Sequence, residues 1–153
     1  MYSKEEIKKG KERFWTRFGQ YLSVIPSAEG EKINWVNYKT GIKHLFFRMD
    51  ADQYQGVIMI EMANPDAGIR ELQFETFKTY KKIFEETVGE DWVWEKEFVD
   101  AYGKATTRIY KELKGVNLYN EQDWPELISF FKPRLLALDD FWTTAKYGFS
   151  IFK

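Results

Sequence analysis

Cysteine is missing from all 153 residues of this chain, which removes disulfides, thiolate metal ligands and cysteine nucleophiles in one step. Histidine occurs once, as His44, so a multi-histidine metal site is excluded and a mixed site would draw mostly on oxygen ligands. Gly30, Gly41, Gly56, Gly68, Gly89 and Gly103 are scattered singly, leaving no glycine-rich loop to cradle a phosphate. Ser23, Ser27, Ser129 and Ser150 have no nucleophile-elbow context. No apolar run approaches the roughly 18 residues that a membrane-crossing helix needs, and the N-terminus opens with charged residues where a secretory signal would be apolar. The expectation is a cytoplasmic protein with no membrane contact and no cofactor.

An excess charge of either sign is also lacking. Lys and Arg number 23 against 24 Asp and Glu, a net charge of -1, so no global field would hold a polyanion. A local exception is the basic start, where Lys4, Lys8, Lys9, Lys11, Arg13 and Arg17 outnumber Glu5, Glu6 and Glu12. On a helix such a mixture reads as a solvated face. Nucleic acid is therefore not the favoured partner, although Lys8, Lys11, Arg13 and Arg17 would be its contacts.

Aromatic residues are abundant, at 18% of the chain. Each buried ring removes about 150–250 Å² from water, so a chain of this length can build one stable core without staples.

Residues 1–153 read as one α+β domain with the order α-βββ-α-ββ-α. The first helix spans 3–25: Ser3 and Glu6 form a capping box, Phe14, Phe18, Tyr21, Leu22 and Ile25 make an apolar stripe, and Pro26 stops it. The second spans 65–88, with Asn64 as N-cap, Pro65 at the first position, Asp66 at the positive end of the dipole and Gly89 as stop. The third spans 124–147, with Asp123 and Glu126 as a capping box and Pro133 expected to kink or break it, freeing the carbonyl of Ser129.

Between the helices the apolar period falls to two, predicting strands at 33–38, 43–49, 56–62, 92–99 and 104–113. The first two flank Lys39-Thr40-Gly41-Ile42 as a hairpin, and the last two flank Asp100-Ala101-Tyr102-Gly103 as another. The expected product is a five-stranded antiparallel or mixed sheet packed with helices.

Strand alternation sorts residues onto two faces. With Leu45, Phe47, Ile58, Ile60 and Ile109 turned to the helices, the other face carries His44, Phe46, Arg48, Met59, Glu61, Arg108, Tyr110 and Glu112. Three readings of that mixture compete: a face partly covered by the chain's own elements with Arg–Glu pairs at its rim, a surface for a second copy or another protein, and a small-ligand or catalytic site. The binding candidates are Phe46, Arg48, Met59, Arg108 and Tyr110. A homodimer or a protein partner is the expected association.

Catalytic candidates are few. His44 could act as a base only if a carboxylate oriented it, and Glu61 is the one the pattern offers. Glu61, Glu112 and His44 with a divalent ion would make a hydrolase or nuclease-like centre. Pro65-Asp66 and Glu112-Leu113-Lys114 formally match spaced elements of a large nuclease superfamily, in which acids hold the metal and lysine helps activate water. Asp66 has a complete alternative role at a helix start, and the match is read as accidental. Asp50 and Asp52 are read as bonding the local backbone, and Glu95 and Glu97 as ion-pair partners of neighbouring bases.

Several stretches together carry a resemblance. They are Phe14-Trp15-Thr16-Arg17-Phe18-Gly19-Gln20-Tyr21, Lys32-Ile33-Asn34-Trp35, Phe46-Phe47-Arg48-Met49-Asp50, Gly68-Ile69-Arg70-Glu71-Leu72, Arg108-Ile109-Tyr110-Lys111-Glu112, and the run from Asp123-Trp124-Pro125 to Phe131-Lys132-Pro133-Arg134. From about Lys4 to Tyr147 the chain resembles the bacterial family called domain of unknown function 4268, in its compact, stand-alone form. The resemblance implies a small intracellular bacterial accessory module, linked to defence or DNA processing, and transfers no catalytic residue. The leading expectation is a non-enzymatic interaction module.

Overall fold

The computed structural model describes residues 1–153. Its helices are α1 (Lys4–Leu22), α2 (Ala67–Thr79), α3 (Lys81–Val88) and α4 (Trp124–Ala145), and its strands β1 (Leu45–Ala51), β2 (Gln55–Met62), β3 (Val93–Val99) and β4 (Ala105–Lys114). Short 3-10 segments, Glu121–Asp123 and Lys146–Phe152, precede and follow α4. The α+β class stands, but the sheet has 4 strands in the order β1-β2-β4-β3, and every neighbouring pair is antiparallel.

The strand expected at 33–38 is not formed; residues 23–44 make an irregular segment. Its apolar residues are anchors. The Trp35 indole donates to the Ile25 carbonyl at 2.9 Å, the Asn34 side chain accepts from the Asn37 amide at 3.1 Å, and the Tyr38 hydroxyl donates to Asp139 at 2.5 Å. Side-chain bonds thus take the place of ladder bonds, and alternating burial alone mimics a strand. The observed first hairpin is β1–β2, closed where Asp52 accepts from the amides of Tyr54 and Gln55 at 2.8 and 3.0 Å. The second hairpin forms about Asp100–Gly103, as the pattern predicts, with a register shift between Glu95 and Phe98.

The Ser3–Glu6 capping box is present on α1. The helix expected over 65–88 divides at Tyr80, whose backbone leaves helical geometry (φ -102°, ψ 9°). The division lets both Phe77 and Phe84 reach Phe141 of α4, at 6.4 and 5.1 Å between ring centres. Asp66, not Asn64, is the N-cap of α2, accepting from the amides of Gly68 and Ile69; Asn64 instead accepts from the Asp66 amide. Asp123 precedes α4 without a side-chain cap, because its carboxylate accepts from the Asn117 amide at 2.9 Å. Pro133 does not break α4, which runs through it.

The helices lie on the face of Ile58, Ile60 and Ile109, each fully buried. Gly56 is the closest approach of helix to sheet: a Cβ there would meet Leu127 at 2.9 Å and Phe131 at 3.2 Å. Phe131 also packs at tilted angles among Phe14, Trp15 and Phe18, which binds α1 to the sheet through α4. Glu90 clamps α4 to the α3–β3 connection, accepting from Arg134 Nε and Nη2 at 2.8 and 2.9 Å and from the Trp92 indole at 3.0 Å. Burial alone would raise the Glu90 carboxyl, but the bonds from Arg134 and Trp92 and the charges of Arg134 and Lys111 outweigh it and hold it below the usual carboxylate range.

Candidate functional site

The face away from the helices is built by register. One cross-strand row reads Phe46, Glu61, Arg108, Glu95, and the next reads Arg48, Met59, Tyr110, Val93. Phe46, Met59 and Tyr110 are half-buried, while Arg48 is exposed. The five binding candidates therefore do share one surface. Its charges are matched within the chain. Arg48 Nε lies 2.9 Å from Glu61 Oε1, with its guanidinium 3.9 Å from the centre of the Phe46 ring. Arg108 Nε lies 2.6 Å from Glu95 Oε1, and its guanidinium stands 3.7 Å from the Phe98 ring centre and 4.0 Å from that of Tyr110. A cation beside two aromatic rings and bonded to a carboxylate is held in place.

The catalytic candidates do not converge. His44 precedes β1 in the left-handed region (φ 64°), with its carbonyl accepting from the Ala63 amide. Glu61 sits two positions further along, opposite Phe46 and Arg108, and is engaged by Arg48. Glu112 lies opposite Val57, four residues along the strand from Glu61, about 13 Å at strand rise, and pairs with Lys114 at 3.2 Å. No group of three or more His, Cys, Asp or Glu is placed to hold a metal ion. Three of the four basic candidates on α1 are also engaged: Lys11 pairs with Asp50 at 3.2 Å, Arg13 with Glu121, and Arg13 and Arg17 lie over the Trp124 ring; Lys8 forms no ion pair.

A second region escaped the sequence reading. Residues 27–40 of the irregular segment and the C-terminal part of α4 enclose a cavity of about 320 Å³, with Glu31, Tyr38, Lys39, Asp139, Trp142 and Lys146 in its lining. Asp139 is only 5% exposed. Its Oδ1 accepts from the Tyr38 hydroxyl at 2.5 Å and its Oδ2 from the Ala28 amide at 2.7 Å. Burial first, then the bond and charge of Asp139 and the charge of Glu29, push the Tyr38 phenol far above its ordinary value, so it stays a donor. The Trp142 indole donates to the Thr40 carbonyl at 2.9 Å, and Lys146 to Glu29 at 2.9 Å. One signal was legible: Asp139 lies four residues after Leu135 and three before Trp142, on the apolar stripe of its helix, where an acid must find partners.

The family model described as Domain of unknown function (DUF4268) matches residues 10–146. The chain belongs to the DUF4268 family. No curated protein and no solved structure matches it. In this DUF4268 chain the Phe46–Asp50 stretch lies in the edge strand β1 and the Arg108–Glu112 stretch in the central strand β4. No helix of the chain is long and apolar enough to cross a membrane.

Proposed function

We propose that this DUF4268 chain is a non-enzymatic accessory module whose outer sheet face docks a second copy of itself. The observation that carries the reading is the juxtaposition of Phe46, Met59 and Tyr110 with opposite charges that already neutralise one another. A two-fold axis brings one patch against itself, so the patch must be complementary to its own image. A centre of half-buried rings and methionine, bordered by Arg48–Glu61 and Arg108–Glu95, can set acid against base in either direction. Half-buried rings and methionine beside satisfied charges suit an interface centre, whereas an enzyme would need convergent groups, and His44, Glu61 and Glu112 form no such group.

Native mass measurement tests it. The expected result is a particle of twice the chain's 18.3 kDa, converted to monomer by Phe46→Glu and by Tyr110→Glu. Both half-buried positions should leave the monomer folded, with stability changed by no more than about 1 kcal/mol. A wild-type monomer at 100 μM, or a dimer that survives both changes, disposes of the reading.

A further inference from the structure

The cavity between residues 27–40 and α4 is lined by Asp139, the one acidic residue among the buried positions of the chain. Most buried or half-buried carboxylates near bases are engaged by them: Glu90 has Arg134, Glu61 has Arg48, Glu95 has Arg108. Asp139 is more buried than any of these, yet its partners are a phenol and a backbone amide, and no Lys, Arg or His nitrogen forms a salt bridge with it. A buried carboxylate whose donors are all neutral retains a strong preference for a cation.

The surroundings narrow what that cation can be. Lys146, just past the end of α4 and in the cavity lining, is taken by Glu29. Glu31 lines the same cavity, is exposed, and forms no ion pair. Against these two acids stands Lys39, exposed at the rim. The half-buried Tyr38 adds aromatic surface to the lining, which favours an organic cation over a hydrated metal ion. No further carboxylate is gathered there in metal-binding geometry. A volume of about 320 Å³ stands at the small end of the range for ligand sites.

We propose that this cavity binds a small organic cation bearing an ammonium or guanidinium head, with Asp139 accepting its N–H groups, Glu31 adding charge at the mouth, and Tyr38 packing on its carbon frame. The inference is independent of self-association, because the cavity and the outer sheet face share no residue.

The probe is agmatine, which carries a guanidinium at one end and an ammonium at the other, titrated at low salt into the intact ¹⁵N-labelled chain. Saturable shifts are expected at the amides of Ala28, Asn37 and Tyr38 and at the Trp142 indole. Glutarate, a dianion of similar length, should produce none. Asp139→Asn should weaken agmatine at least tenfold, and Glu31→Lys about fivefold with the fold unchanged, since Glu31 has no ion pair to lose. If Asp139→Asn fails to fold, Glu31→Lys decides alone. The proposal is overturned by the absence of saturable shifts up to 50 mM agmatine, by glutarate binding as tightly, or by a Glu31→Lys variant that binds agmatine as the wild type does.

Discussion

The outer sheet face and the α4 cavity use the same residue types to opposite ends. On the sheet, Arg108 is bonded to Glu95 and set beside Phe98 and Tyr110, so its charge is matched within the chain. In the cavity, aromatic rings again flank a charged group, but Asp139 meets only neutral donors. The lesson is that mixed polar and aromatic composition does not define a site. What decides is whether each charge has a counter-charge within the chain.

The comparison can be broken at three places. Asp139→Ala should have the largest effect, because it leaves the Tyr38 hydroxyl and the Ala28 amide without an acceptor. About 1–3 kcal/mol is expected for a buried group so orphaned, measured by urea unfolding; a loss below 0.5 kcal/mol would show that Asp139 is not holding residues 27–40 to α4. Arg108→Ala comes next. The ion pair is partly exposed and adds less than its geometry suggests, but the ring contacts on both sides bring the total to about 1–2 kcal/mol. A neutral result would mean that the face is not preorganised as described.

The smallest effect is in pH dependence. The Tyr38 phenol is raised from its model-compound value of 10.0, so the folded chain holds that proton more tightly than the unfolded chain does. Its contribution to stability is complete below pH 10 and is lost as pH climbs beyond that value. Tyr38→Phe should therefore flatten the alkaline loss of stability above pH 10 relative to wild type. An unchanged alkaline slope would separate Tyr38 from Asp139 and with it remove the rigid wall of the cavity.

Legibility differed from element to element for physical reasons. The Ser3–Glu6 box and the Asp100–Gly103 turn are local arrangements whose partners sit within a few residues, and both were plain in the chain. Residues 33–38 misled because period-two burial has two sources, a pleated ladder or a series of side-chain anchors, and periodicity does not distinguish them. The break at Tyr80 was hidden too: nothing in its neighbours interrupts a helix, yet the chain turns there and Phe77 and Phe84 on either side both meet Phe141. The outer face was legible because alternation within β1, β2 and β4 does not depend on strand order. The cavity was not, because its walls come from segments separated by about a hundred residues, and only the burial of Asp139 on an apolar stripe hinted at it.

By itself the sequence determined the α+β class, the hairpin about Asp100–Gly103, the inward set of Ile58, Ile60 and Ile109, and the exclusion of cysteine and multi-histidine chemistry, since each follows from local spacing or from composition. Tertiary structure alone decided that β4 lies between β2 and β3, that residues 23–44 form walls instead of a strand, and that Asp139 is buried without a cation. Those outcomes depend on which distant surfaces meet, and contacts between distant segments leave no period in the chain.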